Sequence, residues 1–255
     1  MRAGVIVPQG WTGEYDGWDP LTAWKRTVEV AQQADRLGFE SIWLYDHLQT
    51  RAGDPDALFE CWTSLATLAR ETSTVRLGQI VTSALYRNPG LLAQMAVTVD
   101  AASGGRVVVG VGAGWDEREY REFGFGELPP VRERLAHLEE TLKVLRRRTR
   151  LPILVGGGGE KVLLRLVAEH ADACNFTDSF DPAFYRHKLE VLRRHCDAVG
   201  RDYGEIEKTA SFTVQGDVDF DVLAAVGIET FIVYLDPPTD LAKLERFARD
   251  RCRPA

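Results

Sequence analysis

Short apolar runs that alternate with amphipathic helical stretches along the whole chain constrain this fold more than any other feature. The strand-like runs are Ala3 to Pro8, Ser41 to Tyr45, Val75 to Thr82, Val107 to Val111, Ile153 to Val155, Ala173 to Phe176, Glu207 to Val214 and Glu229 to Leu235. Strands that alternate with helices call for a parallel sheet covered by helices, and eight such units are the number that closes a (β/α)8 TIM barrel. Asp19-Pro20 opens the first helix and Leu37-Gly38 closes it, while Asn88-Pro89 opens the third, with proline early in the helix, where its missing N–H costs nothing. The seventh unit is the shortest, with only Asp219 to Val226 ahead of Gly227. No Pro/Gly/Ser-rich linker divides the chain, so residues 1–255 are expected to form one α/β barrel domain.

In a barrel of this kind the loops that follow the strands gather at one mouth. Here they are Gln9 to Asp19, Asp46 to Pro55, Ser83 to Asn88, Trp115 to Pro130 and Gly156 to Gly159. The first carries Trp11, Tyr15 and Trp18, enough aromatic surface to cover a flat ligand. In the fourth unit Gly104-Gly105 turns the chain into an apolar strand, and Gly110, Gly112 and Gly114 leave its far end bare of side chains. A dinucleotide fingerprint would need glycine at the position of Trp115, which weakens the Rossmann alternative.

Asp46 and His47 follow the second strand directly. A histidine there can pass a proton or orient a ligand near neutral pH, and the plainer alternative is a polar pair that ties down a loop. Gly156-Gly157-Gly158-Gly159 leads into a helical stretch from Glu160 to His170, where free backbone N–H groups suit a phosphate; a flexible turn is the other reading. Arg87 can meet an anion or hydrogen-bond loop carbonyls. The basic run Arg146-Arg147-Arg148 with Arg150 suits the C-terminal end of a helix, where cations complement the dipole.

The net charge of -7 and the lack of a basic face argue against nucleic-acid binding. The four cysteines at 61, 174, 196 and 252 have neither zinc nor C-x-x-C spacing, and no apolar stretch is long enough for a membrane span. A soluble cytoplasmic protein without a metal centre is expected. H-E-x-x-H and G-x-S-x-G are absent from the sequence, which removes support for metallohydrolase and serine hydrolase chemistry.

Five ordered stretches together resemble the luciferase-like monooxygenase family, and in particular its coenzyme F420-dependent oxidoreductase branch. They are Ser41 to His47, Leu77-Gly78 through Tyr86-Arg87-Asn88-Pro89, Asp100 to Arg106, Gly110 to Trp115 with Glu119-Tyr120, and Pro152 to Gly159 with Ala171-Asp172 and Asn175. The resemblance implies a (β/α)8 barrel that holds a deazaflavin or flavin over a bulge in the third strand, with a non-prolyl cis peptide at Ile80-Val81. By the same likeness His47, paired with Asp46, is the catalytic proton donor or substrate orienter. Ile80, Val81, Gly112, Ala113, Gly114 and Asn175 would border the cofactor, and Gly156, Gly157, Gly158 and Gly159 would hold its phosphate. The cofactor so implied is F420, with FMN and oxygenation as the alternative, and a non-catalytic flavin-binding relative as a third reading. Trp115 and Pro8-Gln9-Gly10 stand where the sugar-phosphate dehydrogenases of the family carry acidic residues, so glucose 6-phosphate is not the expected substrate. The segment between Arg148 and Ile153 and the region before the last strand are shorter than in full-length members. Family members pair through barrel helices, and the stretches Asp56 to Glu71 and Pro89 to Ala102 are the expected homodimer surfaces.

Overall fold

The computed structural model describes residues 2–51, 57–177, 179–214 and 218–252. The chain alternates β1 (Arg2–Ile6), α1 (Pro20–Arg36), β2 (Ser41–Leu44), α2 (Cys61–Glu71), β3 (Arg76–Gln79), β4 (Thr82–Ser83), α3 (Pro89–Ser103) and β5 (Val107–Gly112). It continues through α4 (Glu117–Glu122), α5 (Val131–Arg148), β6 (Ile153–Gly156), α6 (Leu163–His170), β7 (Ala173–Thr177), α7 (Pro182–Val199), β8 (Glu207–Val214), α8 (Phe220–Ala225), β9 (Thr230–Leu235) and α9 (Leu241–Arg251).

All strand pairings are parallel, in the order β3-β2-β1-β9-β8-β7-β6-β5-β4, and β3 also pairs with β5. β3 and β4 therefore act as one stave interrupted at Ile80-Val81, and the sheet closes as an eight-stave (β/α)8 barrel. The third strand, expected to run uninterrupted from Val75 to Thr82, is instead broken, because the chain leaves strand geometry at those two residues and resumes at Thr82. The Ile80-Val81 peptide is cis.

Strand periodicity sorts the core into two layers. Val107, Val109 and Val111 face the helices, while Val108 points into the barrel with Ile6, Trp43, Leu154, Ala173, Ile232 and Tyr234. Trp43 fills much of that interior, its Nε1 donating to Ser41 Oγ at 2.8 Å. Its ring requires glycine at position 78, since a Cβ there would come within 2.4 Å of it.

The helices begin and end as their punctuation dictates. Asp19 accepts from the N–H groups of Leu21 and Thr22, Asn88 from those of Gly90 and Leu91, and Gly104 ends α3 in the left-handed region at φ 76. Arg146, Arg147 and Arg148 occupy the last turn of α5, and Arg146 donates to Asp172 at 2.8 Å. Arg106 ties the end of α2 to β5 by donating to the carbonyls of Ala69 (2.8 Å), Thr72 (3.0 Å), Val75 (2.7 Å) and Ser103 (2.8 Å). Of the expected helix from Asp56 to Glu71, α2 begins at Cys61 with Glu60 as its cap, and Asp56 lies outside the described residues. The expected helix from Glu160 starts only at Leu163, and the expected loop from Trp115 to Pro130 contains α4. No helix among the described residues is long and apolar enough to cross a membrane.

Candidate active site

The C-terminal ends of β2, β4, β5, β6 and β7 surround a cavity of about 430 Å³, within the range of pockets that hold cofactors and small ligands. Its floor is the interruption in the third stave, Ile80 and Val81. The wall after β5 is Gly112, Ala113, Gly114 and Trp115, and that after β6 is Gly156 and Gly157. Asn175 and Thr177 close the side at β7, and Trp11, Tyr45, Asp46, His47 and Arg51 close the opposite one.

The strand-end glycines act first on the floor. A Cβ on Gly110 would lie 1.8 Å from the Gln79 carbonyl oxygen, and one on Gly112 or Gly156 would lie 2.6 or 2.8 Å from a Val81 methyl. These glycines admit the bulge residue between β5 and β6, and the bareness evident in the sequence is filled from inside the protein. Gly114, at φ 73, faces the cavity beyond them.

Gly158 and Gly159 sit apart from the other two glycines of their run. Gly159 borders a separate apolar hollow between α5 and α6, and a Cβ on Gly158 would meet Lys188 Cε at 3.5 Å. The N–H of Gly157 donates to the Asn175 carbonyl at 2.9 Å. The Asn175 side chain is buried and donates to Ser211 Oγ at 2.8 Å, so it faces β8 as well as the cavity.

Asp46 and His47 are adjacent in sequence and differ in environment. The Asp46 carboxylate is fully buried and accepts from Arg87 at 2.5 and 2.9 Å, and also from the Thr82 hydroxyl. Arg87 reaches Glu60, the cap of α2, at 2.6 Å as well. Arg87 therefore binds carboxylates of its own chain and is itself not free for an anion, in place of either role open to it in the sequence. Burial would lower its pKa, but the hydrogen bonds from Arg87 to Asp46 outweigh that and raise it.

His47 turns instead toward the cavity. Its ring stacks on Trp11 with centroids 4.1 Å apart and planes 3° from parallel, and Trp115 meets it edge-on at 5.4 Å. Nδ1 lies 3.1 Å from both oxygens of Glu119, a side chain that α4 drives down from the mouth into full burial. The Glu119 carboxylate also accepts from Leu48 N (2.7 Å), from Gln49 N (3.3 Å) and from the Tyr86 hydroxyl. Burial pushes this carboxyl up, but the contacts with His47, Tyr86 and Leu48 N–H reverse the shift and hold it below its ordinary value. The Tyr86 phenol is pushed up by burial and by the same carboxylate.

Glu119, Tyr86 and the Trp11 stack are the site features that the residue pattern did not single out. Glu119 follows the glycine-rich stretch Gly110 to Trp115, yet nothing in the sequence ties it to a histidine 72 residues away. Single ligand atoms of His47, Asp116 and Glu119 lie within 4.8 Å of one another. The Asp116 carboxylate accepts from the backbone N–H groups of Arg118 and Glu119 at the start of α4, and the Glu119 carboxylate from Leu48 N, Gln49 N and the Tyr86 hydroxyl, so both are held in hydrogen bonds with the protein.

Comparison with known proteins places the chain in a family. Residues 1–151, more than half of the chain, match the family model for luciferase-like monooxygenases. The chain is 28% identical over 240 residues to the 5,10-methylenetetrahydromethanopterin reductase of Archaeoglobus fulgidus, covering 82% of this chain and 67% of that one. It is 29% identical over 226 residues to the F420-dependent glucose-6-phosphate dehydrogenase of Segniliparus rotundus, covering 76% and 66%. The chain thus spans about two thirds of the length of these relatives. An F420-dependent secondary alcohol dehydrogenase, solved with an F420-acetone adduct, superposes with a TM-score of 0.76 at 17% identity over 97% of this chain and 98% of that one, which establishes the shared fold. The chain belongs to the luciferase-like monooxygenase family.

Proposed function

We propose that this protein is an oxidoreductase that uses coenzyme F420 to move a hydride to or from a small organic substrate. The observation that carries the reading is the bulge-floored cavity with an imidazole fixed at its side, in a chain whose relatives include F420-dependent enzymes. The residues present fit a flat tricyclic ring: an apolar floor of Ile80 and Val81, glycine backbone at 112 and 114 that permits close approach, and indoles at Trp11 and Trp115. When bound, the deazaflavin supplies hydride transfer at a ring carbon, and the protein contributes orientation and electrostatics.

Ile80 and Val81 would support the ring, and Gly112, Ala113, Gly114 and Asn175 would border it. Of the run Gly156 to Gly159 expected to hold the phosphate, Gly156 and Gly157 border the cavity and would meet it there, whereas Gly158 and Gly159 stand beyond the lining and Lys188 beside Gly158 is paired with Glu160 at 2.6 Å. His47 is the catalytic residue for the proton that accompanies the hydride, and Asp46 acts through Arg87 to anchor the strand end from which His47 projects. Replacing His47 by Ala should slow substrate turnover by about 10²–10⁴-fold, the order expected for loss of a general acid or base, with cofactor affinity nearly unchanged. Equal turnover by the variant would exclude the role.

The second reading, an FMN-dependent monooxygenase, draws on the family's own chemistry and would show itself as oxygen consumption with reduced FMN. We also propose that residues 1–255 form one domain that works in the cytoplasm, as its free thiols suit, and that it pairs with a second copy. An apolar hollow of about 540 Å³ between α2 and α3, with Leu91 55% exposed at its edge, supports that pairing. Sedimentation of the protein as a monomer at micromolar concentration would contradict it.

A further inference from the structure

We propose that Glu119 is a positioning residue that fixes His47 as the Nδ1–H tautomer and so presents Nε2 to the cavity as a hydrogen-bond acceptor. An ionised carboxylate can only accept, and Nδ1 is 3.1 Å from both of its oxygens, so the hydrogen between them belongs to the ring. A neutral imidazole with hydrogen on Nδ1 has its lone pair on Nε2.

The surroundings keep the carboxylate in that role without requiring a doubly protonated ring. Leu48 N, Gln49 N and the Tyr86 hydroxyl already donate to Glu119, so its charge is compensated by dipoles whatever the state of His47. Of the other acidic groups near the ring, Asp46 is committed to Arg87, and Asp116 accepts from Arg118 N at 3.1 Å. On the Trp11 side, Arg51 stacks 4.5 Å from the Trp11 ring. Swinging the ring over by a half-turn would keep its plane against Trp11 but turn a carbon toward the carboxylate, forfeiting both 3.1 Å contacts of Nδ1.

The consequence concerns what the site can take, and it rests on the reading of His47 as the group that handles the substrate proton. Neutral His47 accepts from a hydroxyl or N–H of the substrate, so the ligand group beside it is a donor in the oxidising direction. That proton passes to Nε2 and yields an imidazolium whose Nδ1–H stays on Glu119. A carbonyl oxygen is met only by the doubly protonated ring, which returns the Nε2 proton.

Long-range ¹H–¹⁵N correlation spectra of the ¹⁵N-histidine-labelled protein without cofactor test this directly, because the two ring nitrogens of each tautomer have distinct shifts. Five histidines contribute signals, and the spectrum of the His47→Asn variant identifies the one that matters. The wild type should show neutral His47 as Nδ1–H, and Tyr86→Phe should leave it so. Glu119→Gln, which sets an N–H donor beside Nδ1, should make Nε2–H the major form. Nε2–H in the wild type, or an unchanged tautomer in a folded Glu119→Gln variant, overturns the proposal. Should that variant fail to fold, the wild type and Tyr86→Phe spectra still decide, since Nε2–H in either contradicts it and Nδ1–H in both supports it. No cofactor enters the experiment, so its outcome is separate from whether F420 is the ligand.

Discussion

Replacing Arg87 by Leu should destabilise the protein far more than a surface ion pair would suggest. The Asp46 side chain is 0% exposed and receives two N–H donors from Arg87, at 2.5 and 2.9 Å. Their removal leaves a buried carboxylate with the Thr82 hydroxyl as its one remaining side-chain donor among the described residues. Uncoupling one partner of a buried pair costs about 3–5 kcal/mol. Glu60 adds little to that figure, because it is 37% exposed and keeps the N–H groups of Trp62 and Thr63 that make it a helix cap. For a chain of this size each kcal/mol lowers the melting temperature by roughly 2–4 °C, so the variant should melt roughly 6–20 °C lower. The double variant Asp46→Asn with Arg87→Leu removes the stranded charge and should recover part of the loss. Urea unfolding followed by circular dichroism measures both. A loss below about 1 kcal/mol for Arg87→Leu, or a double variant at least as unstable as the sum of the single ones, would refute the view of Asp46 as a charge kept buried by its partner.

Gly112→Ala places a Cβ 2.6 Å from a Val81 methyl, and should cost about 1–3 kcal/mol while displacing the cavity floor and weakening ligand binding. Gly104→Ala meets no atom within 4 Å and strains only the backbone at φ 76, so it should cost about 1–2 kcal/mol with ligand affinity intact; equal loss of binding in the two variants would contradict the role given to the glycines. Because the Glu119 pKa is lowered in the fold, its contribution to stability is complete above the unfolded value of about 4.3 and disappears as pH falls through the lower folded value. Stability of Glu119→Gln should therefore depend less on pH than that of wild type as pH falls below about 4.3, and stability profiles of equal slope for the two proteins would contradict this.

The barrel was legible because its signals are local. Runs such as Val107 to Val111 announce buried strands, and Asp19-Pro20 and Asn88-Pro89 start helices where their side-chain oxygens can cap them. The break in the third stave was not visible in composition, since Gln79-Ile80-Val81-Thr82 reads as a continuous strand; only the family likeness pointed to residues 80 and 81. The candidate site divides in the same way. His47 and the glycine runs stand out by type and position after strands, whereas partners such as Arg87 to Asp46, or Glu119 to His47, are 41 and 72 residues apart and exist only once the barrel closes. The helix α4 lay hidden because its pattern, Glu117 to Glu122, is polar, and it is held by Asp116 as cap and by Glu119 and Tyr120 turned inward.

The most direct test of the account is an anaerobic titration of the purified protein with F420 and, in parallel, with FMN, followed by ligand fluorescence. Saturable binding of F420, tighter than that of FMN and weakened by Gly112→Ala, is the expected result. Binding of FMN in preference to F420, or of neither, would contradict the assignment of this cavity to a deazaflavin.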